Sequence, residues 1–292
     1  MLVARRKFLA ATAVGFAAAG FGMPARAQKT KLKFAVGPLL PNPEDTKKAF
    51  GPVFAHLAGE LDVDYELSAT TDWAGIAVAM GSGQVDVAWM GPWGYIIASN
   101  ASGCQAVATV KYDEKPIYHA LIIAKPDLKV AKFPDDTEGK SMSFADVGST
   151  SGWLIPTYYA KEVWKIDPKL FWQYSEGATH AANEVAVSSG QVDLATDFDR
   201  NRNAMIAAGK VKEDANKIVW TSGPLPNDAI ALSPAASADL KANVQRVLTA
   251  ITVEQAKMLL PNRYTGFVAA SHASYDSIEK AGLAVGKIKA RT

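Results

Sequence analysis

The pentapeptide Ser82-Gly83-Gln84-Val85-Asp86 returns unchanged as Ser189-Gly190-Gln191-Val192-Asp193. Its surroundings return with it. Upstream of the first copy, Asp72 to Met80 reads as a helix, and Gly81 and Gly83 are suited to ending it. Val85 to Trp89 then reads as a short buried strand. Upstream of the second copy, Ala181 to Val187 reads as a helix, Ser188-Ser189-Gly190 ends it, and Val192 to Thr196 is the strand. A helix, a glycine stop and a buried strand written twice imply two α/β units. In open α/β sheets the working residues sit at the carboxyl ends of the strands. Met90-Gly91-Pro92-Trp93 and Asp197-Phe198-Asp199-Arg200 are therefore expected to face one shared cleft.

A chain of 292 residues is long enough for two lobes with separate cores. Lys31 to Val36 and Val63 to Leu67 read as strands around a long helix from Glu44 to Leu61. Ala106 to Lys111 and Tyr118 to Ala124 are apolar strands on either side of the polar turn Asp113-Glu114-Lys115-Pro116, where the chain is expected to cross between lobes. A return crossing is expected at Gly223 to Asp228, followed by a strand from Ala229 to Leu232 and a helix from Pro234 to Leu260. The predicted fold class is α/β, two Rossmann-like lobes joined by a two-strand hinge. Residues 28–117 with 230–292 form the first lobe and 118–229 the second. A hinge between two lobes closes on a ligand.

Residues 1–27 read as an export signal: a basic start at Arg5-Arg6-Lys7, a soft apolar run from Ala10 to Met23, then Pro24-Ala25-Arg26-Ala27. The paired arginines before Phe8-Leu9 resemble a twin-arginine signal, with Ala4 where a polar residue is usual. The predicted location is the periplasm. The segment carries four basic side chains (Arg5, Arg6, Lys7, Arg26) and no acid. The remainder therefore has 27 of the 31 basic groups against all 29 acids, a formal charge of −2. That excludes the basic footprint of a nucleic-acid binder. Cys104 is the only cysteine, so no intramolecular disulfide forms. His56, His119, His180 and His272 lack ligand spacing, and no metal or cofactor is expected.

Between the two copies lies Phe144-Ala145-Asp146-Val147-Gly148-Ser149-Thr150-Ser151-Gly152. A strand ends there and Ser-Thr-Ser opens a helix. Two readings fit. Ser149 or Thr150 caps the helix, or the three hydroxyls and the free N–H groups of the first turn hold an oxyanion without a lysine.

With these segments assembled, the sequence resembles the periplasmic phosphate/phosphite/phosphonate-binding proteins of ABC transporters, a type II bilobal fold. The resemblance rests on Asp72-Trp73-Ala74-Gly75-Ile76, Val85-Asp86-Val87-Ala88-Trp89, Ser149-Thr150-Ser151-Gly152, His180, Gln191 to Thr196 and Pro226-Asn227-Asp228. It implies that Ser149, Thr150 and Ser151 hold the oxyanion. It places Trp73 where the family usually has a ligand tyrosine, and it matches Tyr118, His180 and Asp228 to a ligand tyrosine, histidine and carboxylate. A carboxylate beside an anion is repulsive unless the anion carries a proton, so Asp228 is expected to select protonated oxyanions over sulfate. Arg200 stands where aminophosphonate binders keep an acid. If it faces the cleft, it repels an ammonium group and moves the ligand toward phosphate, phosphite, methylphosphonate or arsenate; otherwise it is a loop charge beside Asp197.

Cys104 precedes a strand at its amino end, away from the expected cleft, and reads as a small buried hydrophobe. A cysteine ligand would instead point to a metalloid sensor. Ser151 with His180 could be imagined as a nucleophile pair, but a static donor set explains the turn better. The expectation is a monomeric, non-enzymatic protein that binds a small oxyanion and delivers it to a membrane ABC permease. The alternative is an arsenate or arsenite sensor signalling to a membrane kinase.

Overall fold

The two copies of the pentapeptide fold alike at the helix stop and the strand entrance. The structure is a computed structural model that describes residues 29–290; the expected export signal lies outside the described residues. In chain order the strands are β1 (Lys31–Val36), β2 (Asp64–Ala69), β3 (Val87–Met90), β4 (Gln105–Tyr112), β5 (Ile117–Tyr118), β6 (Ala120–Ala124), β7 (Ser141–Ala145), β8 (Gln173–Ala178), β9 (Leu194–Phe198), β10 (Lys217–Thr221), β11 (Leu225–Pro226), β12 (Ala229–Leu232) and β13 (Tyr264–Ala269). The helices are α1 (Pro43–Glu60), α2 (Trp73–Gly81), α3 (Pro92–Ser102), α4 (Ile155–Tyr158), α5 (Pro168–Phe171), α6 (His180–Ser188), α7 (Asp199–Ala207), α8 (Ala238–Thr249), α9 (Val253–Leu259) and α10 (Asp276–Ala284).

Helices α2 and α6 end through the same bonds. Ser82 N–H reaches Val78 O and Gln84 N–H reaches Ala79 O; Ser189 N–H reaches Val185 O and Gln191 N–H reaches Ala186 O. Gly83 and Gly190 both take φ +74°, the left-handed turn that glycine adopts without a Cβ penalty. The closing aspartates then receive the neighbouring parallel strand. Asp86 Oδ2 accepts Lys33 N–H at 2.8 Å, and Asp193 Oδ2 accepts Ser141 N–H at 3.0 Å.

Two sheets result. One runs β13-β4-β12-β3-β1-β2, the other β10-β6-β9-β7-β8. In each, the strand after the pentapeptide lies between a parallel partner (β1 or β7) and an antiparallel one (β12 or β6). The short pair β5 and β11 joins Tyr118 to Leu225 and Ile117 to Pro226 and stands between the sheets. Phe34, Phe50, Leu57 and Trp89 anchor one buried cluster, and Trp93, Tyr95, Phe144 and Leu154 belong to another that runs through both halves of the molecule.

Two elements differ from expectation. The expected strand from Tyr118 to Ala124 breaks at His119, whose N–H goes to Asp199 Oδ2 instead of a ladder partner. The helix expected from Pro234 to Leu260 is two helices, because Thr252 begins α9 with a capping box to Gln255. The Ser-Thr-Ser helix also winds unevenly. α4 is flanked by wide π-type turns at Thr150–Leu154 and Tyr159–Val163. No helix among the described residues is long and apolar enough to cross a membrane.

Candidate functional site

All eight residues singled out from the sequence line one cavity of about 240 Å³: Trp73, Tyr118, Ser149, Thr150, Ser151, His180, Arg200 and Asp228, joined by Gly91 and Phe198. The pentapeptide register explains part of this convergence. Trp73 and His180 each stand nine residues before their serine, at the first position of α2 and α6. Their caps, Asp72 and Thr179, accept the N–H groups of Gly75 and Ala182. Beyond the strands, Trp93 and Arg200 likewise occupy the second positions of α3 and α7.

The three hydroxyls are not equivalent. Ser149 caps its helix: Oγ accepts Gly152 N–H at 3.0 Å and lies 2.9 Å from His180 Nε2. Burial pushes the imidazole down to about 3, so it is neutral at physiological pH. His180 Nδ1 stands 3.2 Å from Asp197 Oδ1, off the line of a good hydrogen bond. With Nδ1–H turned to that carboxylate, Nε2 is the acceptor, and Ser149 spends its single proton there. Thr150 Oγ1 accepts Trp93 N–H at 2.8 Å and keeps its own proton. Tyr118 hydrogen-bonds the Thr150 and Ser151 side chains, and burial drives its phenol well above the ordinary value, so it remains a donor. Capping and anion donation thus divide between neighbours: Ser149 caps, while Thr150, Ser151 and Tyr118 form a hydroxyl cluster that, after its two internal hydrogen bonds, has one proton left to offer.

Arg200 is buried and does not pair with Asp197. Its partner is Asp228: Nη2 lies 3.4 Å from both carboxylate oxygens. Asp197 is instead held by Asn201 Nδ2 at 2.9 Å. The Arg200 guanidinium sits 4.8 Å from the Tyr118 ring centre and 5.3 Å from that of Phe198, with Tyr112 and Tyr264 further out. Burial alone would lower its pKa, but Asp228 and the surrounding phenols outweigh that and raise it, so it stays cationic. Nε and Nη1 are buried and meet no acceptor. A buried guanidinium that lines the cavity with two nitrogens lacking acceptors is a group that an anion would stabilise. Asp228 in turn accepts the indole N–H of Trp89 at 3.1 Å.

Sequence reasoning missed the supports behind the site. Trp89 anchors Asp228 from inside the first lobe's core. Glu184 interacts with Asp197, and burial raises both carboxyls, Glu184 to the higher value, about 8. Their signal was available: a glutamate four residues into a short helix whose neighbours are apolar. The Ser149–His180–Asp197 chain has the connectivity of a hydrolase triad, and Ser149, not Ser151, contacts the histidine. An imidazole held near pKa 3 is a poor general base at neutral pH. Cys104 is 1% exposed and does not line the cavity. Among the described residues no cluster of three or more His, Cys, Asp or Glu could hold a metal ion.

Residues 39–275 match the family model of the ABC transporter, phosphonate, periplasmic substrate-binding protein. The chain is 29% identical over 191 residues to the phosphonates-binding periplasmic protein of Escherichia coli K12, covering 64% of this chain and 56% of that one. It is 28% identical over 204 residues to the phosphate-import protein PhnD of Mycolicibacterium smegmatis, covering 66% of this chain and 64% of that one. The matches thus span less than two thirds of either relative's length. Among solved structures, PhnD1 of Prochlorococcus marinus in complex with methylphosphonate shares the fold at a TM-score of 0.77 and 17% identity, over 89% of this chain and 99% of that one. The chain belongs to the phosphonate family of periplasmic substrate-binding proteins of ABC transporters.

Proposed function

We propose that this protein captures a small phosphorus oxyanion without a cationic substituent (phosphate, phosphite or methylphosphonate) and delivers it from the periplasm to an ABC permease. The observation that carries the ligand class is Arg200, a buried cation that lines the cavity and whose Nε and Nη1 meet no acceptor. An ammonium group placed beside it would be repelled in a medium that screens poorly. The cavity is small and walled by ten residues, most of them polar or aromatic, which suits a tetrahedral ion better than a drug-sized molecule. The relatives named for phosphonates, phosphate and methylphosphonate support a phosphorus oxyanion, while the exclusion of a cationic substituent rests on Arg200 alone. Asp228 gives the second half of the selection. It is acceptor-only, and its oxygens already take Arg200 and the Trp89 indole N–H. A ligand oxygen that approaches it needs a proton, which sulfate lacks at neutral pH.

Calorimetry with phosphate, phosphite, methylphosphonate, 2-aminoethylphosphonate and sulfate tests the reading. The first three are expected to bind at least about 100-fold tighter than the last two, a difference of ~3 kcal/mol or more. Ser151→Ala is expected to weaken the favoured ion by about 1.5–3 kcal/mol at unchanged thermal stability. Tightest binding of 2-aminoethylphosphonate would sink the assigned ligand class.

A further inference from the structure

Lobe two reaches across the cleft and finishes helices that belong to lobe one. The N-terminus of α2 has three N–H groups to satisfy, and its own cap, Asp72, accepts only that of Gly75, at 2.6 Å. Those of Trp73 and Ala74 go to Asp146 Oδ1 in the other lobe, at 3.1 and 3.2 Å. Helix α3 has no side-chain cap of its own, since Gly91 stands at that position. Its Trp93 N–H is accepted by Thr150 Oγ1 at 2.8 Å, and the Trp93 indole N–H by Val147 O at 3.2 Å. A single loop, 146–150, therefore closes over two helix ends. Gly148 makes the approach possible: a Cβ there would lie 2.4 Å from Ala74 N and 2.6 Å from Trp73 C, against backbone that cannot yield.

We propose that Asp146 is the latch of the closed state, a positioning residue that sets ligand affinity by setting how much of the protein is closed. Asp146 is not among the residues lining the oxyanion cavity. Its carboxylate meets the positive end of α2 only when the lobes are together, and its bonds to Trp73 and Ala74 belong to that state alone, whereas its bond from Gly148 N–H at 3.0 Å lies within its own loop. Separating the lobes returns Trp73 N–H, Ala74 N–H and Trp93 N–H to water. Thr150 belongs to both systems, since its oxygen caps α3 while its side chain lines the cavity; the latch and the site thus close as one unit. A residue that acts through the closed fraction scales every ligand's apparent affinity by the same factor. A ligand contact does not.

The proposal rests on the binding-protein reading, and its test separates the two. Asp146→Ala, Asp146→Asn and Gly148→Ala are titrated calorimetrically with inorganic phosphate and with methylphosphonate. Asp146→Ala is expected to weaken both by the same factor, about 10- to 100-fold. Asp146→Asn, which keeps an acceptor oxygen, is expected to recover part of the loss. Gly148→Ala, which leaves every carboxylate in place, is expected to reproduce it, and this carries the test should Asp146→Ala fail to fold. In parallel, spin labels on Ser82→Cys and Ser189→Cys, exposed positions on opposite lobes, report the interlobe distance. The short-distance population is expected to shrink in Asp146→Ala. If neither ion binds the wild type, the ligand assignment fails and the distance distributions of the unliganded proteins decide the latch. Unchanged affinities, unequal losses for the two ions, or a short-distance population that survives Asp146→Ala would each overturn it.

Discussion

The two pentapeptide units use one frame for opposite chemistry. In both, a nine-residue helix ends in a left-handed glycine, an aspartate receives the adjacent strand, and the following strand delivers a second helix to the cleft. The residues mounted on that frame diverge. The first unit presents Trp73, Met90, Gly91 and Trp93; the second presents His180, Asp197, Phe198 and Arg200 at the equivalent places. The first unit thus supplies the cavity with the Trp73 indole and Gly91, while lobe two supplies the cation, the imidazole and the hydroxyls. The hydrogen bonds shared by the two units build the frame, and of the residues that differ, Trp73, Gly91, His180, Phe198 and Arg200 line the cavity. Asp86 and Asp193 do not line the cavity, and Trp73, His180 and Arg200 do.

The comparison breaks most sharply at Arg200, which replaces an apolar indole with a buried charge. Arg200→Ala leaves Asp228 without its cation, and the expected loss of folding stability is about 3–5 kcal/mol, with oxyanion binding beyond detection by calorimetry. Adding Asp228→Asn to that variant is expected to restore most of the stability and none of the binding. Full stability in Arg200→Ala alone would mean the pair is not coupled.

The frame itself is tested at its aspartates. Asp193 holds Ser141 N–H, Ser141 Oγ at 2.9 Å and Lys125 Nζ at 2.7 Å, whereas Asp86 holds Lys33 N–H in a more exposed setting. Asp193→Ala is expected to cost about 2 kcal/mol in urea unfolding and Asp86→Ala about 1 kcal/mol. Oxyanion affinity should be retained in both. Equal costs would show that the hydrogen bond to the strand is the whole contribution and that Lys125 adds nothing.

The smallest expected effect concerns titration, which only the second helix carries. Burial raises Glu184, so the folded protein holds that proton at pH values where the unfolded chain, near 4.5, has lost it. The native state binds more protons across that window, and stability falls as pH rises through it. His180, pushed down to about 3 from 6.5, has the reverse slope: it costs stability as pH falls from 6.5 toward 3. Glu184→Gln keeps a donor toward Asp197 and removes the first slope. Its melting temperature is expected to decline less between pH 5 and 9 than that of the wild type, with a gain of about 1 kcal/mol at the alkaline end. Parallel melting curves for the two proteins would place the proton elsewhere.

What the sequence by itself determined is what local physics fixes. Helix, glycine stop and buried strand are set by contacts within some twenty residues, so both pentapeptide units could be read directly, and with them the positions of Trp73, His180 and the 149–151 turn. The limits of such reading are also local. The helix from Pro234 to Leu260 looked continuous until the capping box at Thr252 divided it, because apolar periodicity survives a break of a few residues. Only the tertiary structure decided which groups meet: Arg200 with Asp228 rather than Asp197, Trp89 with Asp228, Ser149 with His180, Asp146 with the end of α2. These partners lie 28, 139, 31 and 73 residues apart in sequence. Their pairing depends on the order of strands in two sheets and on the closure of one lobe against the other. A buried charge takes whichever counter-charge that packing brings within reach, and no spacing along the chain records the choice.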